Sequence, residues 1–231
     1  IAPIGVSDEV SASGKIEIRN QTPDRALLPA ADVLSPDALA LVRFGLRAPD
    51  DPHILDTIKA IDHSLRADLP QGSLWYRYTG DGYGEHEDGA PFDGTGKGRP
   101  WPLLAGERAH YELAAGRREA AEALLGTLEK SAGYGGLFPE QVWDGPDLPE
   151  KELFLGRPSG SAMPLVWAHS EHIKLLRSLK DGTVFDMPPQ GVERYIKNKT
   201  GSQLRIWRFN NRLSSIPAGK MLRLETVTNA V

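Results

Sequence analysis

Helical stretches that carry a single apolar stripe alternate along this chain with two loops of nearly thirty residues, 70–99 and 133–160. A stripe of that kind must be buried against neighbouring elements. Structureless loops of such length inside a compact domain are functional or disordered. Both loops hold large aromatics, among them Trp75, Tyr76, Tyr78 and Tyr83 in the first and Phe138 and Trp143 in the second. Disordered segments are poor in such residues. The pattern therefore predicts a mainly α domain whose ordered loops carry the chemistry.

The helix starts are marked locally. SPDALALVRFGLR offers Ser35 as N-cap and Pro36 at the first helical position. DPHILDTIKAIDHSLRAD repeats the device with Asp51 and Pro52, and Ile54, Ile58, Ile61 and Leu65 fall on one face. A third helix is predicted from about Pro100 to Ala115, and a fourth over REAAEALLGTLEK, with Ala121, Leu124, Leu125 and Leu128 in one stripe. The fifth, about 161–180, is apolar nearly all round (Leu165, Val166, Trp167, Ile173, Leu175, Leu176, Leu179) and is predicted to be buried. The first 34 residues are polar and turn-rich, with at most a short strand at 15–19. After Asp181-Gly182 the texture alternates, and QLRIWRF and MLRLETV, separated by Pro217-Ala218-Gly219, predict a β-hairpin. A lone hairpin is marginal in water, so this tail needs support from other elements.

Composition excludes several classes. A net charge of −4 gives no electrostatic basis for binding nucleic acid or an anionic membrane. No apolar run approaches the roughly 18 residues of a spanning helix. The absence of cysteine rules out disulfides and thiolate metal sites and leaves the redox compartment unreadable. The opening IAPIGVSDEV has neither the basic region nor the apolar run of a signal peptide, and an initial Ile suggests a processed chain or a fragment. Asn20-Gln-Thr22 and Asn198-Lys-Thr200 match the glycosylation sequon, a pattern frequent by chance.

Trp75, Trp101, Trp143 and Trp167 lie in or beside the loops. Tryptophans mostly pack in cores, but grouped around charged residues they also suit a carbohydrate. The apolar face of a pyranose stacks on an aromatic ring, and its hydroxyls need charged partners. Arg77, Asp81, Glu85, Glu87, Asp88 and Arg99 could form such a rim, or simply a solvated loop. Calcium would need a ligand spacing that this loop lacks. GTGKGRPW lacks the Lys-Ser/Thr ending of a phosphate loop. His169 and His172 stand at i, i+3, without the spacing of a helical zinc motif, and hydrogen-bonded histidines are the simpler reading. In LFPEQVWD, Glu140 sits between a proline and an amide, where local chemistry does not separate a solvated carboxylate from a working one.

The strings LVRFGLR, WYRYTGDGYGE, GRPWPLLAGERAHYELAAG, PEQVWD and GSAMPLVWAHSEHIKLL resemble, in this order, glycoside hydrolase family 15, the bacterial glucoamylases and glucodextranases. The likeness covers most of residues 34–189, with a weaker one in WRFNNRLSSIPAGKMLRLE. It implies an (α/α)6 toroid of which residues 1–183 are the C-terminal part, with 184–231 a β-rich tail or the start of a small β domain. The helices at 100–115 and 161–180 would be inner ones. It further implies that Glu140 is the catalytic general base. Arg77, Asp81 and Tyr83 would recognise or stack on sugar, and Trp101 and Trp167 would line subsites beside Trp143. The activity implied is inverting, exo-acting release of β-D-glucose from α-glucans, with no metal or cofactor. α-1,6 or trehalase-like specificity and a non-catalytic glycan-binding relative are the alternatives. Family members are often exported, so an extracellular or periplasmic location is implied. The family's general acid lies upstream of everything here, so the partner implied is the N-terminal half of the toroid, in the same or a separate chain. Residues 1–231 alone are then expected not to turn over substrate.

Overall fold

The computed structural model describes residues 14–198 and the backbone of 205–207 and 222–224. It opens with an antiparallel pair, β1 (Lys15–Glu17) and β2 (Leu27–Pro29), in register Ile16 to Leu28. Ser35 caps the next segment as predicted, its side chain accepting from Asp37 N–H. The segment is a 3-10 turn, Pro36–Leu39, running into the short helix α1 (Ala40–Arg43). At α2 (Pro52–Ser64), Asp51 accepts from His53 N–H, and Ile54, Ile58 and Ile61 are buried on the predicted stripe.

Residues 66–75 depart from expectation. The helix does not extend to Asp68, and the first long loop does not begin at 70. Arg66–Leu69 (β3) and Gly72–Trp75 (β4) form an antiparallel hairpin instead. Leu69-Pro70-Gln71-Gly72 makes the turn, with Gly72 at φ +133° and no room for a side chain beside Thr127. Leu74 and Trp75 drop into the core beside Ile61, Trp101 and Leu128. Each fully buried side chain of this size contributes about 1.5–3 kcal/mol. Trp75 Nε1 donates to Asp62 at 3.0 Å, and Arg108 grips the same carboxylate at 2.7 and 2.8 Å, tying β4 to α2 and to the third long helix.

That helix, α3 (Pro102–Ala114), is the centre of the molecule, with ten of its residues buried. It packs against α4 (Arg118–Lys130) and α5 (Val166–Asp181). The fifth helix starts later than predicted, because Pro164 has no N–H to donate and a proline is disfavoured inside a helix. Gly182, at φ +72°, caps its end.

The expected burial of α5 all round does not hold. Ala168, Glu171, Leu175, Ser178 and Leu179 face α3 and α4, but Val166, Trp167 and Ile173 are 76%, 56% and 66% exposed. Only one side of this helix has neighbours among the described residues. An ion cluster fastens it to α1 and α3: Arg43 reaches Glu171 at 2.7 Å and Asp186 at 2.8 Å, and the buried His110 lies 2.8 Å from Glu171.

In the tail, β5 (Arg205–Trp207) and β6 (Leu222–Leu224) pair in parallel, Ile206 opposite Arg223. The predicted hairpin is thereby corrected. Parallel neighbours need a crossover of about a dozen residues or more, and 208–221, which includes the expected turn at 217–219 and lies outside the described residues, has that length. Before it, Pro189–Gly191 (α6) leads into a π-helical turn over Val192–Lys197. The described residues are mainly helical.

Candidate active site

The two long loops lie against each other over the N-terminal end of α3. Trp101 N–H donates to the Trp75 carbonyl at 2.9 Å, and Val142 N–H to the Pro100 carbonyl at 3.0 Å. The first loop leaves β4 and the second passes beside the residues that start α3. Within the first loop, glycines let the segments around 84 and 96–97 pass close to each other. A Cβ on Gly84 would collide with the Lys97 carbonyl, and one on Gly96 with the Gly84 carbonyl.

In the first loop Arg77 and Asp81 form a bidentate pair, Nε to Oδ2 and Nη2 to Oδ1, both at 2.9 Å. Asp81 also accepts from Tyr83 N–H at 3.0 Å. Its carboxylate is buried, whereas Arg77 remains one-third exposed, so the acid aims the guanidinium and the guanidinium faces outward. The Arg77 guanidinium carbon stands 4.9 Å from the ring centre of Tyr78, 5.3 Å from Tyr83 and 5.2 Å from Trp101. Trp101 is buried, and its indole N–H has no partner among the described residues.

Glu140 is brought to this cluster by the second loop. Its N–H donates to the Ala162 carbonyl at 2.8 Å. Oε2 is inaccessible and without a described donor. Burial raises the carboxyl above the ordinary glutamate value; the Tyr83 hydroxyl and the Arg77 charge oppose that shift, and Asp81 adds to it. Tyr83 is itself raised, by burial and then by Glu140. A carboxylate made more basic than usual, beside an outward-facing guanidinium and aromatic walls, can take a proton from a group held against the rings.

Gln141 holds this arrangement. Fully buried, its amide oxygen accepts from Arg99 N–H at 2.9 Å, and its amide nitrogen donates to the Tyr83 carbonyl at 3.0 Å. Its own N–H donates to Ser161 Oγ at 2.9 Å. One side chain thus spans both loops and sets where Glu140 stands.

The structure therefore groups Arg77, Asp81, Tyr83, Trp101 and Glu140, and buries Trp143 against Arg99. Trp143 is 0% exposed, its indole N–H bonded to the Pro146 carbonyl at 2.7 Å and its ring 4.1 Å from the Arg99 guanidinium. A ring without an open face cannot stack on a ligand, so the expectation for Trp143 gives way to a supporting role. Arg99 is likewise no rim residue. It is buried on that ring, paired with Asp144 at 2.6 Å and donating to the Glu85 and His86 carbonyls at 2.8 and 2.7 Å. Tyr76 donates to the same Asp144. Trp167 is exposed in the first turn of α5, and among the described residues no hydrogen bond or ring contact ties it to the cluster. Glu87 and Asp88 are exposed, as a solvated rim would be. His169 accepts from Phe138 N–H at 3.1 Å and His172 pairs with Glu129 at 3.0 Å. Among the described residues no group of His, Cys, Asp and Glu could hold a metal ion.

Gln141, Asp144 and the buried state of Arg99 were not foreseen. Their partners are distant in sequence, and the only local signal was the adjacency of Gln141 to Glu140.

The helices form part of an (α/α)6 toroid, with a carboxylate, an arginine and aromatic rings on the loops that cross it. The chain belongs to glycosyl hydrolases family 15, whose model matches residues 13–177. A glucoamylase of Clostridium sp. (strain G0005) is 43% identical over 165 residues, 71% of this chain and 22% of that protein. A bacterial glucoamylase solved in complex with acarbose superposes with a TM-score of 0.74 at 39% identity, over 84% of this chain and 27% of the other. The chain thus spans about a quarter of the length of these relatives.

Proposed function

We propose that this chain carries the general-base part of the active site of an exo-acting, inverting α-glucan glucohydrolase. The observation that supports it most is the state of Glu140: a carboxylate raised by burial, with one oxygen lacking any described donor, beside Arg77 and Trp101. The likeness to glucoamylases, one of them solved with acarbose, points to an α-linked glucosyl substrate.

In this reading Glu140 takes a proton from water as the water oxygen bonds to the anomeric carbon. The bond from that carbon to the glycosidic oxygen breaks, and a second carboxylic acid, from a part of the protein outside this chain, protonates the departing oxygen. Arg77, aimed by Asp81, donates to substrate hydroxyls, while Trp101 and Tyr83 wall the terminal glucose. The exposed apolar side of α5, with Trp167 on it, receives the remaining helices of the toroid. Residues 184–231 are a separate tail in sequence, although Asp186 is bonded to Arg43 of the helical body.

The anomer of the first product tests the role of Glu140. A base leaves room for water, with the two carboxyl groups roughly 6.5–9.5 Å apart, against about 5–5.5 Å for a nucleophile. Attack from that side inverts the centre, so an α-linked substrate releases β-glucose first. Proton NMR of the earliest product, recorded before mutarotation, reads this directly. Initial α-glucose would remove the base assignment.

A further inference from the structure

The polar, turn-rich residues before α1 contribute nothing to the Glu140 cluster itself, yet they lie against the segment that carries Arg77. Gln21 Nε2 donates to the Gly80 carbonyl at 2.7 Å, and Asn20 Nδ2 to the Gly94 carbonyl at 3.4 Å. A Cβ on Gly82 would collide with the Asn20 carbonyl, so the two backbones touch there. Leu34 and Thr79 bond twice: Thr79 N–H donates to the Leu34 carbonyl at 3.0 Å, and Leu34 N–H to Thr79 Oγ1 at 3.0 Å. Ser35 has two tasks at once. Its hydroxyl donates to the Arg77 carbonyl at 3.3 Å, while the same oxygen accepts from Asp37 N–H as the cap of the following turn.

Asp81 aims the Arg77 guanidinium, but the two residues sit four positions apart in one loop, and the pair moves wherever that loop moves. A binding side chain is held precisely only when its backbone is fixed to the body of the fold. Tyr76 N–H still reaches the Leu65 carbonyl, at 2.8 Å, as a last step of the β3–β4 ladder. From Arg77 to Gly82 the anchorage comes from residues 20–35. We infer that Ser35 and Gln21 are positioning residues for Arg77, and that residues 20–35 thereby set how tightly the site holds its sugar. The inference rests on the glucan reading of the Glu140 site. Ser35 and Gln21 act through Arg77, and proton transfer at Glu140 proceeds without them.

The test uses the full-length protein with maltotriose. Ser35→Gly removes the bond to Arg77 while leaving a residue that still serves as a helix cap, and Gln21→Met keeps the length without the donor. Each is expected to raise KM about three- to tenfold, the order of one hydrogen bond. Both should leave kcat within about twofold of the parent and the acidic limb of its pH profile in place. Ser35→Thr, which keeps the hydroxyl, should retain the parent KM. In an Arg77→Lys background the effect of Ser35→Gly should vanish, because the two residues act as one unit. Deuterium exchange of the amides at 77–83 should quicken about threefold or more in Ser35→Gly while exchange in α3 stays unchanged, a readout that needs no substrate. Unchanged KM in the active enzyme overturns the inference, as does unchanged exchange at 77–83. A rise in KM that persists in full beside Arg77→Lys also overturns it. Quickened local exchange in a protein that releases no glucose upholds the positioning and refutes the hydrolytic reading.

Discussion

Glu107 on α3 tests the electrostatics of the helical body. Burial raises its carboxyl from the ordinary 4.5 to about 7, with Glu171 adding repulsion and Arg43 and Lys174 opposing it. The folded state therefore holds a proton that the unfolded chain releases at lower pH. The stability associated with the protonated form is complete below the unfolded value and is lost as pH rises through the folded one. The rise from 4.5 to about 7, at about 1.36 kcal/mol per pH unit, amounts to about 3 kcal/mol. Because the side chain keeps some solvent contact, screening reduces this to roughly 2 kcal/mol. Glu107→Gln removes the charge and keeps the shape. In urea denaturation of the full-length protein its stabilising effect at about pH 8 should exceed that at about pH 5 by roughly 2 kcal/mol. An equal effect at both pH values, or a loss of stability at the higher one, would show that a cation outside the described residues neutralises Glu107, and would refute the reasoning.

Glu140→Gln in the full-length protein should lower kcat about 10²–10⁴-fold while calorimetry still detects saccharide binding; abolished binding would make Glu140 a structural or ligand-holding residue. Asp81→Asn leaves Arg77 without its bidentate partner, so KM should rise and stability fall by about 1–3 kcal/mol, as read by glucose release and urea midpoints. Tyr83→Phe deletes the hydroxyl that holds the Glu140 carboxyl down against burial. Ionisation of Glu140 then requires higher pH, and the acidic limb of the kcat profile should move upward; a limb that stays put would remove Tyr83 from the environment of the base.

Much of the helical frame was readable from sequence because its signals are local. The Ser35 and Asp51 caps, each followed by proline, mark helix starts within two residues, and the Ile54–Ile58–Ile61 stripe reports its own buried face. The β3–β4 hairpin was hidden because SLRAD continues the polar surface of α2, and its strand character depends on Leu74 and Trp75 finding a core made by distant residues. The outer side of α5 misled for a related reason, since an apolar surface states that a partner is needed without saying which residues supply it. Within the site, Arg77 and Asp81 belong to one short motif and could be read together. Trp143 could not, because its burial depends on Arg99, 44 positions earlier in the chain.

The Gln141 amide has a consequence for anyone recombining relatives of this protein. It accepts from the end of the first loop and donates to its middle, so residues 83–99 and 139–161 are geared together through a single side chain. A chimera that imports either loop alone would inherit a bridge cut for a different span, and its carboxylate would be aimed by the wrong half. Specificity in this region is therefore transplanted as a pair of loops, and natural drift in one must be matched by drift in the other.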